Sequence, residues 1–194
     1  WSPIKQVKNI LEIKLPFPEY VVRMERAMMT SKFENLKQSF ENICKEFQIE
    51  IKNHKIETLV GMWNKNWMLA QPYKEVKEIL TELRKKYKVI LVSNTDCFSI
   101  KQVMEKFQLE ELFDKTYLSC EVGLIKTDKN FFKHVLSDLG LTVDDAVMVG
   151  DSIQSDIMAA KKIDMKSVLI DRRNSREYHP KIKSLHELDS VLDI

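Results

Sequence analysis

Through the first seventy residues, apolar positions recur every three to four residues. Ser2-Pro3 puts a capping residue before a proline at the first helical position, and Ile4, Val7, Ile10 and Leu11 then share one face. Pro16 and Pro18 are expected to stop that helix. Tyr20 to Met29 reads as a second helix. Ser31-x-x-Glu34 has the form of a capping box and opens a stripe of Phe33, Leu36, Phe40, Ile43, Cys44 and Phe47. A further helix carries Ile56, Leu59, Val60, Trp63 and Trp67. Four helices without a strand make a small bundle.

The pattern changes near Pro72. Short apolar runs rich in β-branched residues now appear at 89–92, 116–119, 146–149 and 167–170. Helical patterns fall at 73–87, 98–107, 128–139 and 153–163, and a last one at 184–193 is opened by Ser184-x-x-Glu187. Continuous apolar strands alternating with amphipathic helices mean a parallel sheet covered on both faces. The expected class is α/β, with a Rossmann-like parallel sheet core and helices on both faces, plus a small all-helical domain. The expected boundary separates helical residues 1–71 from an α/β core at 72–194.

Composition narrows the functions available. Thirty-one basic residues nearly cancel twenty-nine acidic ones, leaving a net charge of +2 over 194 residues. A nucleic-acid or polybasic membrane binder needs a lopsided charge, so neither is expected as a partner. No apolar run approaches the ~18 residues of a spanning helix, and the segment from Trp1 to Lys5 has no signal-peptide core. Cys44, Cys97 and Cys120 are odd in number and widely spaced, which reads as three reduced thiols in a cytoplasmic protein.

Working residues of open parallel sheets sit just past the carboxyl ends of the strands. Here the first strand runs into Ser93-Asn94-Thr95-Asp96, and the third into Gly150-Asp151-Ser152 with Asp156 beyond it. Gly123-x-x-Lys126 follows the second, and Asp171-Arg172-Arg173 the fourth. A hydroxyl, a free backbone turn and a lysine suit a phosphate. The carboxylates suit Mg²⁺, which takes one or two protein carboxylates together with water and substrate phosphate. Each residue also has a plainer reading. Ser93-Asn94 can turn the chain and cap a helix, as can Asp151, and Asp96 reads as a turn or cap residue. His54, His134, His179 and His186 show no ligand spacing, and Arg172, Arg173 and Arg176 read as a solvated loop within reach of substrate. Phe33, Phe40 and Phe47 read as bundle core, while Trp63, Asn64 and Trp67 lie near the return to the sheet.

Taken in order, Ser93-Asn94, Gly123-x-x-Lys126 and Gly150-Asp151-Ser152-x-x-x-Asp156 resemble motifs two, three and four of the haloacid dehalogenase-like hydrolase superfamily. The likeness covers about 72–194, and the helical first part sits where that superfamily inserts a helical cap. Thr127 stands where proline is usual. The resemblance implies that Ser93 and the backbone N–H of Asn94 bind phosphoryl oxygens. It further implies that Lys126 offsets developing negative charge, that Asp151 holds Mg²⁺, and that Asp156 orients Lys126 or a metal-bound water. The attacking group in this superfamily is an aspartate on the first strand, in an Asp-x-Asp pair whose second member is the phosphatases' acid/base.

That pair has no counterpart in the chain, because all twelve aspartates lie at or after Asp96. In the superfamily's plan the missing strand lies mid-sheet, beside those ending at Ser93 and Asp151. Orphaned buried backbone groups cost about 1–3 kcal/mol each, so the expectation is a further strand and turn ahead of Trp1. The expected function is then a Mg²⁺-dependent, phosphoglycolate phosphatase-like enzyme acting on a small phosphorylated metabolite through an aspartyl-phosphate, as a monomer or homodimer. Two alternatives stand beside it: a phosphonatase or 2-haloacid dehalogenase-type hydrolase, and a non-catalytic interaction module that keeps the fold. The Gly150-Asp151-Ser152 turn favours the phosphatase, since halide-releasing members need no metal there.

Overall fold

Helix formation in the first part follows the apolar stripe. In the computed structural model, which describes residues 2–192, four helices form in sequence: α1 (Pro3–Ile10), α2 (Phe17–Met29), α3 (Leu36–Glu46) and α4 (Asn53–Leu69). Val7, Tyr20, Met24, Met28, Phe40, Ile43, Ile56 and Leu59 form their common buried core. The Tyr20 hydroxyl donates to the Ile4 carbonyl at 2.8 Å, and Phe40 meets Trp63 edge-on at 5.8 Å between ring centres.

Proline acts differently from the expectation. The first helix ends at Ile10, and Pro16 and Pro18 instead start α2, as its N-cap and in its first turn. The fixed φ of proline suits an opening turn, where its missing N–H costs nothing. The capping residue of α3 is Asn35, not Ser31. Its side-chain oxygen accepts from Gln38 N at 3.0 Å, while Gln38 Oε1 accepts from Glu34 N at 3.0 Å.

Five short strands follow: β1 (Ile90–Ser93), β2 (Lys115–Leu118), β3 (Val147–Gly150), β4 (Lys166–Ile170) and β5 (Lys181–Ile182). All pair in parallel. β1 pairs β2 with Ser93 opposite Leu118, β3 pairs β4 with Gly150 opposite Leu169, and β4 pairs β5. The mixed α/β class with parallel sheets is the one read from the sequence, but the strands form two hydrogen-bonded sets, β1-β2 and β3-β4-β5. Among the described residues, β1 keeps one edge without a strand partner, and so does β3. The two-residue β5 is too short to show a period in the sequence.

Before, between and after the strands lie α5 (Val76–Leu83), α6 (Ser99–Phe107), α7 (Ser119–Val122), α8 (Lys129–Leu139), α9 (Met158–Lys161) and α10 (Leu188–Val191). The expected helix at 184–193 is a 3₁₀ turn, Leu185–Glu187, followed by α10. Position 193 lies outside the described residues.

The chain groups into two compact units. One takes the residues up to Pro72 together with Ile90–Ile125, the other Tyr73–Val89 together with the residues from Lys126 on. The grouping runs across position 72 because α4 is fastened to the segment after β1. Trp63 Nε1 donates to Asp96 Oδ2 at 2.9 Å, and Lys106 Nζ donates to the Met68 carbonyl at 2.8 Å. In the second unit Val168, Ile182 and Leu188 are buried against Leu83, Val147 and Val149. Arg172 lies 3.5 Å over the Tyr73 ring and pairs with Glu75 at 2.5 Å. Burial pushes the Glu75 carboxyl up, but the hydrogen bonds from Arg172 and Ser184 more than offset it, leaving Glu75 below its ordinary range.

The cysteines correct the sequence reading. Cys97 and Cys120 form a disulfide with their Cα atoms 5.8 Å apart, and of the three only Cys44 is a free thiol, buried in the bundle. Three reduced thiols therefore do not describe this chain, and cysteine content gives no argument for a reducing compartment. No helix among the described residues is long and apolar enough to cross a membrane.

Two stability measurements check these ties. Trp63→Phe keeps the ring but leaves Asp96 Oδ2 without its indole donor, and urea unfolding should show a loss of about 1–3 kcal/mol; unchanged stability would contradict the tie. Reducing Cys97–Cys120 should lower stability by about 2–4 kcal/mol, the usual effect of opening a loop of this size. A Cys97→Ser variant should then be indifferent to reductant.

Candidate active site

Ser93 is the last residue of β1, and residues 94–96 after it belong to no helix or strand. The turn is held from four directions. Asn94 Nδ2 donates to Glu25 Oε2 on α2 at 2.9 Å. Thr95 N donates to Ser119 Oγ at 2.9 Å, and that hydroxyl donates back to the Thr95 carbonyl at 3.2 Å. Asp96 Oδ1 accepts from the N–H groups of Phe98 and Ser99, which caps α6, and its Oδ2 takes the Trp63 indole. Cys97 is bonded to Cys120 on α7.

Asp96 is thus the cap residue read from the sequence, and Trp63 is a buried strut. Asn64 accepts from Trp67 Nε1 at 3.0 Å. The buried Glu25 and Ser119 were not singled out by sequence reasoning. Each sits on a helix with no motif around it, so neither carries a local signal.

The second unit holds Lys126, Asp151 and Asp156. Lys126 Nζ donates to Asp156 Oδ1 at 2.5 Å, with the two side chains only 12% and 3% exposed. The other oxygen, Oδ2, accepts from Ser152 N at 2.9 Å. Asp156 is aimed by an unusual turn. Instead of a regular helix from 153, residues Ile153–Ile157 form one π-helical turn, in which the N–H groups of Asp156 and Ile157 both donate to the Ser152 carbonyl. The Ser152 hydroxyl accepts from Ser155 N at 3.0 Å and starts that turn.

Gly150 has a steric reason to be glycine. A Cβ built on it would lie 2.2 Å from Asp156 Oδ2, inside any allowed contact. The carboxylate therefore packs against a bare backbone at the end of β3.

Asp151 is exposed, and its carboxylate makes no hydrogen bond or ion pair among the described residues. Both Asp156 oxygens are engaged, so Asp151 is the carboxylate of this turn that remains open to a cation. One such group fits Mg²⁺, which needs only one or two protein carboxylates. Among the described residues, no cluster of three or more His, Cys, Asp or Glu side chains could hold a metal unaided. The Arg176 guanidinium donates to the Asp151 carbonyl and pairs with Asp171 at 3.6 Å. Of the three arginines read as a loop, Arg172 and Arg176 are both engaged. The structure brings Lys126, Asp156 and the Asp151 turn together in one unit, while Ser93 and Asn94 belong to the other.

Comparison with known proteins bears on the whole chain. A family model described as haloacid dehalogenase-like hydrolase matches residues 19–170. A glyceraldehyde 3-phosphate phosphatase of Methanocaldococcus jannaschii is 33% identical over 132 residues, covering 64% of this chain and 58% of that protein. An N-acylneuraminate-9-phosphatase of Mus musculus is 29% identical over 102 residues, covering 53% of this chain and 41% of that protein. The chain thus spans about half the length of these relatives. Among solved structures, the HAD-hydrolase YfnB of Bacillus subtilis, bound to magnesium, superposes with a TM-score of 0.67 at 16% identity. That likeness covers 99% of this chain and 90% of the other and shows the fold. With a family match over well more than half of its residues, the chain belongs to the haloacid dehalogenase-like hydrolases.

Proposed function

We propose that the protein is a Mg²⁺-dependent phosphatase of a small phosphorylated metabolite, with the helical residues 1–71 serving as its cap. The observation that carries this reading is the division of labour between two aspartates five residues apart. Asp156 is buried and spent on Lys126 and the backbone, while Asp151 is exposed and open. A phosphoryl-transfer site needs this pairing of a fixed cation with an available carboxylate. The curated relatives named as phosphatases and the magnesium in the YfnB structure support it.

In this reading Ser93 Oγ and the Asn94 N–H donate to phosphoryl oxygens. Lys126, held by Asp156, stands opposite the charge that builds on the transferring group, and its immobilisation means no reorganisation at the moment of reaction. Asp151 would hold Mg²⁺, whose role when bound is to neutralise phosphoryl charge. The nucleophile in this reading is an aspartate, as the superfamily resemblance implies, and no residue of this sequence is assigned to that role. Its carboxylate oxygen attacks phosphorus, the ester P–O bond breaks, and the leaving alkoxide takes a proton from the neighbouring acid. Water then cleaves the aspartyl-phosphate to free phosphate.

Phosphate release from small phosphomonoesters by the full-length protein, with and without EDTA, is the direct assay. Activity should vanish with EDTA and return with Mg²⁺, and activity that ignores the chelator would contradict the metal reading. Asp151→Asn should abolish most Mg²⁺-dependent turnover while preserving the circular dichroism spectrum. Lys126→Ala should lower kcat by ~10²–10³-fold, the usual loss when a preorganised donor is removed. Near-wild-type rates from a folded Lys126→Ala protein would remove the lysine from the mechanism.

A further inference from the structure

The peptide joining Asp151 to Ser152 is gripped at both ends. Its N–H, on Ser152, donates to Asp156 Oδ2 at 2.9 Å. Its C=O, on Asp151, accepts from the Arg176 guanidinium. A peptide unit is planar, so holding both polar ends fixes its rotation. That rotation sets the backbone angles on either side of it, and with them the direction in which the Asp151 side chain leaves the chain.

Arg176 is itself seated. Asp171, 1% exposed at the end of β4, accepts from the backbone N–H of Arg176 at 2.7 Å and lies 3.6 Å from its Nε. The Ser175 hydroxyl adds a long contact of 3.5 Å to the same carboxylate. From below, Asp171 N–H donates to the Ile182 carbonyl at 2.8 Å, and Lys181 Nζ donates to the Arg176 carbonyl at 2.6 Å. Burial pushes the Asp171 carboxyl up, but the hydrogen bonds and charge of Arg176 outweigh it, so the group lies below its ordinary range. The Arg176 side chain is 37% exposed, so its guanidinium fastens the rim of the site and is not part of the core.

We propose that Arg176, seated by Asp171, is a positioning residue that fixes the Asp151 carboxylate for Mg²⁺. The inference rests on the reading of Asp151 as the metal carboxylate and adds a role for two residues outside the family motifs. In this role Arg176 acts through the Asp151 carbonyl and not as a ligand of the metal. Releasing it frees the peptide, so the carboxylate must be ordered anew each time the ion binds, and the cost falls on metal affinity. A lysine can still reach one carbonyl but cannot hold Asp171 and the carbonyl together in a planar fork.

The test is calorimetric titration of the full-length protein with MgCl₂, alongside Mg²⁺ activation of phosphomonoester hydrolysis. Arg176→Ala should raise the Mg²⁺ dissociation constant by on the order of ten-fold, the low end of the range for residues that orient metal ligands. The activation constant should move in parallel, more than kcat at saturating Mg²⁺. Arg176→Lys should recover part of the affinity, and Asp171→Asn should shift it in the same direction as Arg176→Ala. If Asp171→Asn fails to fold, the half-exposed Arg176 variants still decide the matter. A folded Arg176→Ala protein that binds Mg²⁺ as tightly as wild type overturns this inference alone. A wild-type protein that binds no Mg²⁺ overturns the reading of Asp151 and this inference with it.

Discussion

Asp156 is the constraint around which the second unit is arranged. It is buried, charged and satisfied at both oxygens, by Lys126 on one side and by the Ser152 N–H on the other. Lys126 and Asp156 meet where water is largely excluded, and a charge held there needs a partner. The same carboxylate forbids a side chain at position 150 and requires the π-helical turn that carries it inward. One ion pair thereby dictates a glycine, a turn geometry and the course of the chain past Asp151. What it leaves over is a single exposed carboxylate on a rigid loop, which is what a hydrated cation needs.

The first unit solves a related problem by other means. The turn after Ser93 is fixed by a different set of groups. It is tied instead by an amide on Glu25, a hydroxyl on Ser119, an indole on Asp96 and a disulfide. Two of those ties come from the helical bundle, through α2 and α4. The bundle and the turn after β1 are therefore one mechanical piece, and the identity of bundle residues bears directly on how Ser93 and Asn94 are presented. A helical domain that only covered a site would not need a buried carboxylate and an indole directed at that turn.

The sequence made legible what local pattern can carry. β-branched runs marked four of the five strands, because β-branched side chains pack well on an extended, pleated backbone. Gly150-Asp151-Ser152 was readable because glycine, acid and hydroxyl in succession after a strand is a demanding turn. Other features depend on groups that meet only after folding. The Cys97–Cys120 bond joins positions 23 residues apart, on segments brought together by the pairing of β1 with β2. Trp63 sits in an unremarkable apolar stripe, and only the approach of Asp96 gives its N–H a purpose. Arg176 reads as loop because the acid that seats it, Asp171, is five residues away across a turn. The start of α3 went to Asn35 instead of Ser31 because Asn35 is the residue whose side chain reaches the N–H three positions on.

The chain offers a fixed cation, an open carboxylate and a braced hydroxyl-bearing turn. A crystal structure of the full-length protein with Mg²⁺ and a phosphate mimic such as orthovanadate tests that account most directly. It predicts an Asp151 carboxylate oxygen about 2.0–2.1 Å from the metal, with a mimic oxygen on Lys126 Nζ and an aspartate in line with its central atom. A mimic bound elsewhere, with Asp151 turned to solvent and Lys126 committed to Asp156 alone, would contradict it.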